Sequence, residues 1–180
     1  MANFDKSFEH VIGVEGGYSN HPIDKGGPTK YGITIHRLKV WRANGYLTAG
    51  DVQALTLTEA KGIYKHYYWN KWQLDEIFDD DVATALFDQC VNWGVGRPTV
   101  KRLQRVVNKV GVRIAVDGVI GPNTLAAVNS LDPVMFIQYF VEESQDAYVA
   151  LTKRKPRYLV FLAGWINRTQ ELFRLLLKRS

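Results

Sequence analysis

Apolar side chains recur every three to four positions along most of this chain, and a two-residue alternation is almost absent, so the pattern predicts helices joined by short connections. Phe4, Phe8, Val11 and Ile12 mark a helix over residues 3–15. A glycine-rich segment up to residue 33 breaks the rhythm and reads as a short hairpin or an irregular loop. Thr34 can cap a second helix carrying Ile35, Leu38 and Trp41, with Gly45 as its stop. Thr48 with Asp51 has the spacing of a capping box for a short helix to residue 55. Thr58 is expected to cap the next, with Ala60, Ile63, Tyr64, Tyr67 and Tyr68 as its inward stripe. Asp79, Asp80 and Asp81 acidify the start of a long helix through Val82, Leu86, Cys90 and Trp93, where the helix dipole favours negative charge. Pro98, Pro122, Pro133 and Pro156 each suit a first helical turn, and residues 111–121 form a less regular link. The fold class is therefore mostly α. No low-complexity linker separates the halves, so two packed lobes are expected, residues 1–95 and 96–180.

The residues with the most chemical content lie where the first helix gives way to the loop. Glu15 falls on the apolar face of that helix, three and four residues after Ile12 and Val11. An acid there is costly to bury unless it has a partner or a task, and an apolar surround favours its protonated form. Gly16 and Gly17 then end the helix, and a second acid, Asp24, follows among Asn, Pro and Gly residues that would keep it ionised. Thr29 stands five positions on and can orient a water. Cleavage of a glycosidic bond requires this combination: one carboxyl kept protonated to serve the leaving oxygen, and a second group acting on water or on the anomeric carbon. Tyr18 and Tyr31 flank the segment and can either stack on sugar rings or pack. Asn92 and Trp93 interrupt an apolar stretch and are candidate substrate-binding residues. Asn92 can bind an acetamido group or serve as a core hydrogen-bonder.

The segment E-G-G-Y-S-N-H-P-I-D-K-G-G-P-T-K-Y-G-I-T, at residues 15–34, resembles the signature of glycoside hydrolase family 108, muramidases of phages and prophages. Further blocks resemble the same family: I-Y-K-H-Y-Y-W at 63–69, F-D-Q-C-V-N-W-G at 87–94, D-G-V-I-G-P-N-T-L at 117–125 and G-W-I-N-R at 164–168. The resemblance implies a lysozyme-like fold and a catalytic trio of Glu15, Asp24 and Thr29, although the Asp-to-Thr spacing is one residue shorter than in phage-type lysozymes. It also implies peptidoglycan as partner, hydrolysis of the β-1,4 bond between N-acetylmuramic acid and N-acetylglucosamine, and no metal or cofactor. L-Q-R-V-V-N-K-V-G followed by D-G-V-I-G-P-N-T-L-A-A-V resembles small peptidoglycan-binding modules, though each of its residues can equally be structural. A lytic transglycosylase on the same bond and a non-catalytic wall-binding or secretion-accessory protein are the competing readings.

Composition changes the picture in three places. A single cysteine, Cys90, excludes an intramolecular disulfide, and the four histidines show no paired ligand spacing, so no metal is expected. The net charge of +5 is unevenly spread: residues 1–150 carry 15 basic and 17 acidic side chains (−2), residues 151–180 carry 8 and 1 (+7). With Leu172, Phe173, Leu176 and Leu177 on one side and Gln170, Arg174 and Lys178 on the other, residues 168–180 read either as a terminal helix packed on the body or as a helix engaging anionic envelope lipid or lipopolysaccharide. The N-terminus lacks the basic start and apolar core of a secretory signal, so cytoplasmic synthesis in a bacterial host and release through a holin-type lesion are expected. Nucleic acid is not an expected partner, and with no coiled-coil seam a monomer is expected.

Overall fold

A computed structural model describes residues 2–14, 17–19, 27–43 and 45–177. Among them lie nine α-helices and one small hairpin, so the chain is mostly α, as its periodicity predicts. Helix α1 (Phe4–Val14) starts where the Asn3 side chain accepts from the backbone N–H groups of Asp5 and Lys6. Strands β1 (Thr29–Lys30) and β2 (Ile33–Thr34) pair antiparallel, Thr29 opposite Thr34, and Ser19 adds a bridge to Thr29.

Helix α2 (Ile35–Arg42) is capped by Thr34 as expected, but it ends on Ala43 in the left-handed conformation (φ 49°) rather than at Gly45. The Ala43 N–H bonds back to the carbonyls of Lys39 and Val40, so the turn closes before the glycine is reached. Helix α3 (Ala49–Gln53) has the full reciprocal capping box between Thr48 and Asp51. Helix α4 (Leu57–Tyr64) is capped by Thr56, not Thr58: the Thr56 hydroxyl accepts from the Glu59 N–H and leaves Thr58 inside the first turn. The aromatic stripe then departs from the regular period. A π-helical turn at Lys65–Trp69 and 3-10 turns at Asn70–Trp72 and Leu74–Glu76 follow, and the widened turn carries Trp69 and Trp72 fully inward.

Helix α5 (Asp80–Trp93) begins at Asp79, whose carboxylate accepts from the N–H groups of Asp81 and Val82. Helices α6 (Arg97–Val110), α7 (Pro122–Asn129) and α8 (Pro133–Arg154) open near their prolines as expected. Pro156 opens a 3-10 turn, Pro156–Tyr158, and α9 (Leu159–Leu177) begins after it. One hydrophobic cluster runs through both halves, from Phe4, Phe8, Trp69 and Phe87 to Leu103, Val107, Phe136 and Phe140. Cys90 is a free, fully buried thiol, and burial pushes its pKa well up, away from nucleophilic use.

Candidate active site

Two helices run side by side in the same direction. The Asn3 N–H donates to Asp80 Oδ1 at 2.8 Å, and four residues on the Ser7 and Thr84 hydroxyls lie 2.7 Å apart. The Thr84 hydroxyl donates to the Asp80 carbonyl at 2.7 Å, so Ser7 is the donor in the pair. Both contacts join residues 77 positions apart. This register is set over the first turns of the two helices; Glu15 follows α1 directly in sequence, and Asn92 and Trp93 are the last two residues of α5. Glu15 and Asp24 themselves lie outside the described residues.

The hairpin packs against α2 and α3. Thr29 sits on β1, its backbone exchanging hydrogen bonds with Ser19 at 2.7 and 2.8 Å, and its hydroxyl donates to the Gly27 carbonyl at 3.1 Å. A hydroxyl used once as a donor keeps its lone pairs for a further donor, such as a water. Tyr31 occupies the hairpin tip in the left-handed region (φ 51°), partly buried against the core, and its carbonyl accepts from the Tyr64 hydroxyl at 3.0 Å. That bond ties the hairpin to α4. Tyr18 is exposed on the neighbouring segment.

Beneath the end of α5 lies a buried polar hub that the sequence reading does not single out. Asp88 is fully buried and pairs with Arg168 of α9, Nε to Oδ1 at 2.7 Å. Its other oxygen accepts from Gln89 and Asn92, each at 3.2 Å, and the Asn92 amide also donates to the Asp88 carbonyl at 3.0 Å. Both donations of the Asn92 NH₂ therefore go to Asp88. Asp88 and Arg168 stand in two of the blocks quoted above, 80 residues apart in sequence. The signal that could have found them is the one applied to Glu15, an acid within an apolar helical stripe.

Trp93 is wedged rather than free. The Arg102 guanidinium lies 4.0 Å from its centroid on one side and the Tyr148 ring stacks at 4.6 Å on the other. Trp165 continues the stack on Tyr148 at 4.9 Å. With both faces occupied, Trp93 offers no ring face to a sugar in this arrangement. Burial, then the nearby Asp88 charge, raises the Tyr148 hydroxyl pKa, so it stays neutral. Burial lowers the pKa of Arg102 below its ordinary value. Among the described residues no group of histidine, cysteine, aspartate and glutamate side chains could hold a metal ion.

The second lobe is organised by side-chain amides. Gln104, buried on α6, donates to Asp117 Oδ1 (2.7 Å), the Val119 carbonyl (3.1 Å) and Thr124 Oγ1 (3.3 Å), and accepts from the Gly118 N–H (2.8 Å). One turn later Asn108 donates to the Ile114 carbonyl and accepts from the Ile114 N–H. Gly118 has φ 79°, and a Cβ there would lie 3.1 Å from the Arg97 carbonyl, so the turn requires glycine. Gln104 and the Gly donor hold Asp117 and its turn, and hydrogen bonding from Gln104 keeps the Asp117 carboxyl below the ordinary carboxylate range. A groove of about 560 Å³ opens here, with Arg113, Asp117 and Asn123 in its lining.

Residues 8–94 match the family model described as glycosyl hydrolase 108, and residues 98–170 match one described as a predicted peptidoglycan domain. A search of curated proteins gave no match. Among solved structures, that of SagA from Brucella abortus is 35% identical, with a TM-score of 0.78, over 97% of this chain and 94% of SagA. A family model covering the α1–α5 region, a second covering α6 to α9, and a relative alike along nearly the whole length place this chain in glycoside hydrolase family 108, as a glycoside hydrolase acting on peptidoglycan.

Proposed function

We propose that the protein is an N-acetylmuramidase, a lysozyme that hydrolyses the β-1,4 bond between N-acetylmuramic acid and N-acetylglucosamine and so lyses the bacterial wall. Glu15 is the general acid. Asp24 activates or positions water, or stabilises the oxocarbenium-like transition state, and Thr29 helps to orient that water. The observation that carries the reading is the parallel register of α1 and α5. Continued to the far ends of the two helices, that register would bring the stretch before Glu15 toward Asn92, whose side-chain carbonyl suits the N–H of an acetamido group. Tyr18, exposed beside the hairpin, is the aromatic with a face to offer a sugar ring. Residues 1–95 cut, and residues 96–180 recognise the wall, with the groove beside Arg113 and Asn123 as the contact. The protein is made in the cytoplasm of a bacterial host and meets its substrate after holin-type release.

Glu15→Gln tests the assignment. General acid catalysis contributes about 10²–10⁴-fold, so release of soluble fragments from purified wall should fall by at least that lower factor. Lysis by the variant at the unaltered rate would remove Glu15 as the acid. Mass spectrometry of the fragments tests the reaction: reducing muramic acid ends are expected, and anhydromuramic ends would instead identify a lytic transglycosylase.

A further inference from the structure

Helix α9 has two unlike halves. From Trp165 onward it is bolted to the body: Trp165 stacks on Tyr148, Arg168 is buried against Asp88, and Thr169 and Leu172 are fully buried. Arg174 is paired with Glu171. The basic, amphipathic character expected of residues 168–180 is therefore partly spent on packing, and Arg168 is not available to an anionic surface. The first half stands clear instead. Leu159 is 62% exposed, Val160 80% and Phe161 54%, and Ala163 and Gly164 are exposed as well. Immediately before them the end of α8 and the Pro156 turn present Lys153, Arg154, Lys155 and Arg157, all exposed and, among the described residues, in no ion pair. Residues 151–170 contain no acid. Tyr158 sits between the two groups, with the Lys155 ammonium 5.9 Å and the Arg157 guanidinium 5.0 Å from its ring.

We propose that this protrusion, residues 153–161, is a docking surface for an anionic phospholipid bilayer. Aliphatic and aromatic side chains at the tip can enter the acyl boundary, four cations behind them can lie at phosphate depth, and a tyrosine between suits the headgroup layer. No helix among the described residues is long and apolar enough to cross a membrane, so the contact is peripheral. A second copy of the chain fits the surface poorly, because self-association would bring two unpaired basic clusters together. A glycan fits it poorly too: Leu159 and Val160, more exposed than Phe161, offer no ring face, and the Tyr158 ring faces Lys155 and Arg157. The surface involves none of the residues assigned to bond cleavage. Its role would be to keep a wall-cutting enzyme on the membrane side of its substrate.

The test is co-sedimentation of the full chain with vesicles of phosphatidylglycerol and phosphatidylcholine in equal parts, and with phosphatidylcholine alone. Binding to the anionic vesicles only, weakened by salt, is expected. The double variant Lys155→Glu, Arg157→Glu should weaken partitioning at least about tenfold, since each basic residue near a charged surface contributes about 1 kcal/mol. Val160→Glu, at a site too exposed to disturb folding, should do the same. Far-UV circular dichroism and activity on purified wall should be unchanged in all variants. No binding to anionic vesicles, equal binding to neutral ones, or full binding by both variants would overturn the proposal. So would loss of binding in Arg174→Glu alone, or lipid-free self-association that Val160→Glu abolishes.

Discussion

The two halves of the molecule reach similar burial by different means. In the first, shape does the work. Phe4, Phe8, Tyr64, Trp69 and Phe87 meet edge to face with centroids 5.2–6.1 Å apart. In the second, residues 111–121 have neither helix nor strand, and their backbone is held by side-chain amides that copy a strand's pairing, each both donating and accepting. Gln104 does so for Gly118 and Val119, and Asn108 for Ile114. Asn129 does the same across the joint, accepting from the Phe78 N–H and donating to the Glu76 carbonyl. Aromatic packing tolerates change that keeps volume. An amide that satisfies several buried groups does not, because its loss leaves each of them unpaired.

The largest effect should come from cutting the pin between the halves. Arg168→Ala leaves Asp88 buried without its cation and should cost about 3–5 kcal/mol in urea unfolding. Replacing both partners together, Asp88→Leu with Arg168→Met, should recover most of that loss, which would separate the cost of an orphaned charge from the worth of the pair. A smaller effect sharpens the contrast itself. Gln104→Leu should cost about 2–3 kcal/mol by leaving the buried Gly118 N–H unpaired and removing a donor from Asp117, while Leu86→Met, in the apolar half, should stay under about 1.5 kcal/mol. Equal costs would dissolve the distinction.

The smallest effect lies at the surface. Arg42 grips Glu59 through two bonds, at 2.7 and 2.6 Å, and reaches Asp51 at 3.7 Å, tying α2 to α3 and α4. The Arg42 hydrogen bond holds the Glu59 carboxyl below its usual pKa of 4.5. A depressed folded-state pKa contributes stability that is present above 4.5 and lost as pH falls through the lower folded value. Because the pair is partly exposed, Glu59→Gln should lower stability by about 1 kcal/mol or less at neutral pH. The gap from the unaltered chain should close toward pH 3 in thermal melts.

Helix starts were legible where one side chain meets a nearby backbone N–H, as at Thr34 and the Thr48–Asp51 box. Thr56 and Thr58 are equivalent by composition, and which one caps α4 depends on how the helix seats its apolar face. The π-turn after Tyr64 was not legible, since the same aromatic residues also fit a regular helix, and burial of Trp69 and Trp72 chose the wider turn. At the site, Asn92 stood out as a polar residue among apolar ones. Asp88 did not, because its cation is supplied from the far end of the chain.

By itself the sequence determined the helical class, most of the caps and the family, because each rests on contacts within a few residues or on a contiguous motif. Only the tertiary structure decided that α1 and α5 start side by side in the same direction, that Trp93 is wedged between Arg102 and Tyr148, and that Arg168 is buried while Val160 is exposed. Those outcomes depend on which distant faces meet when the apolar surfaces leave water, and helical periodicity gives a face without naming its partner.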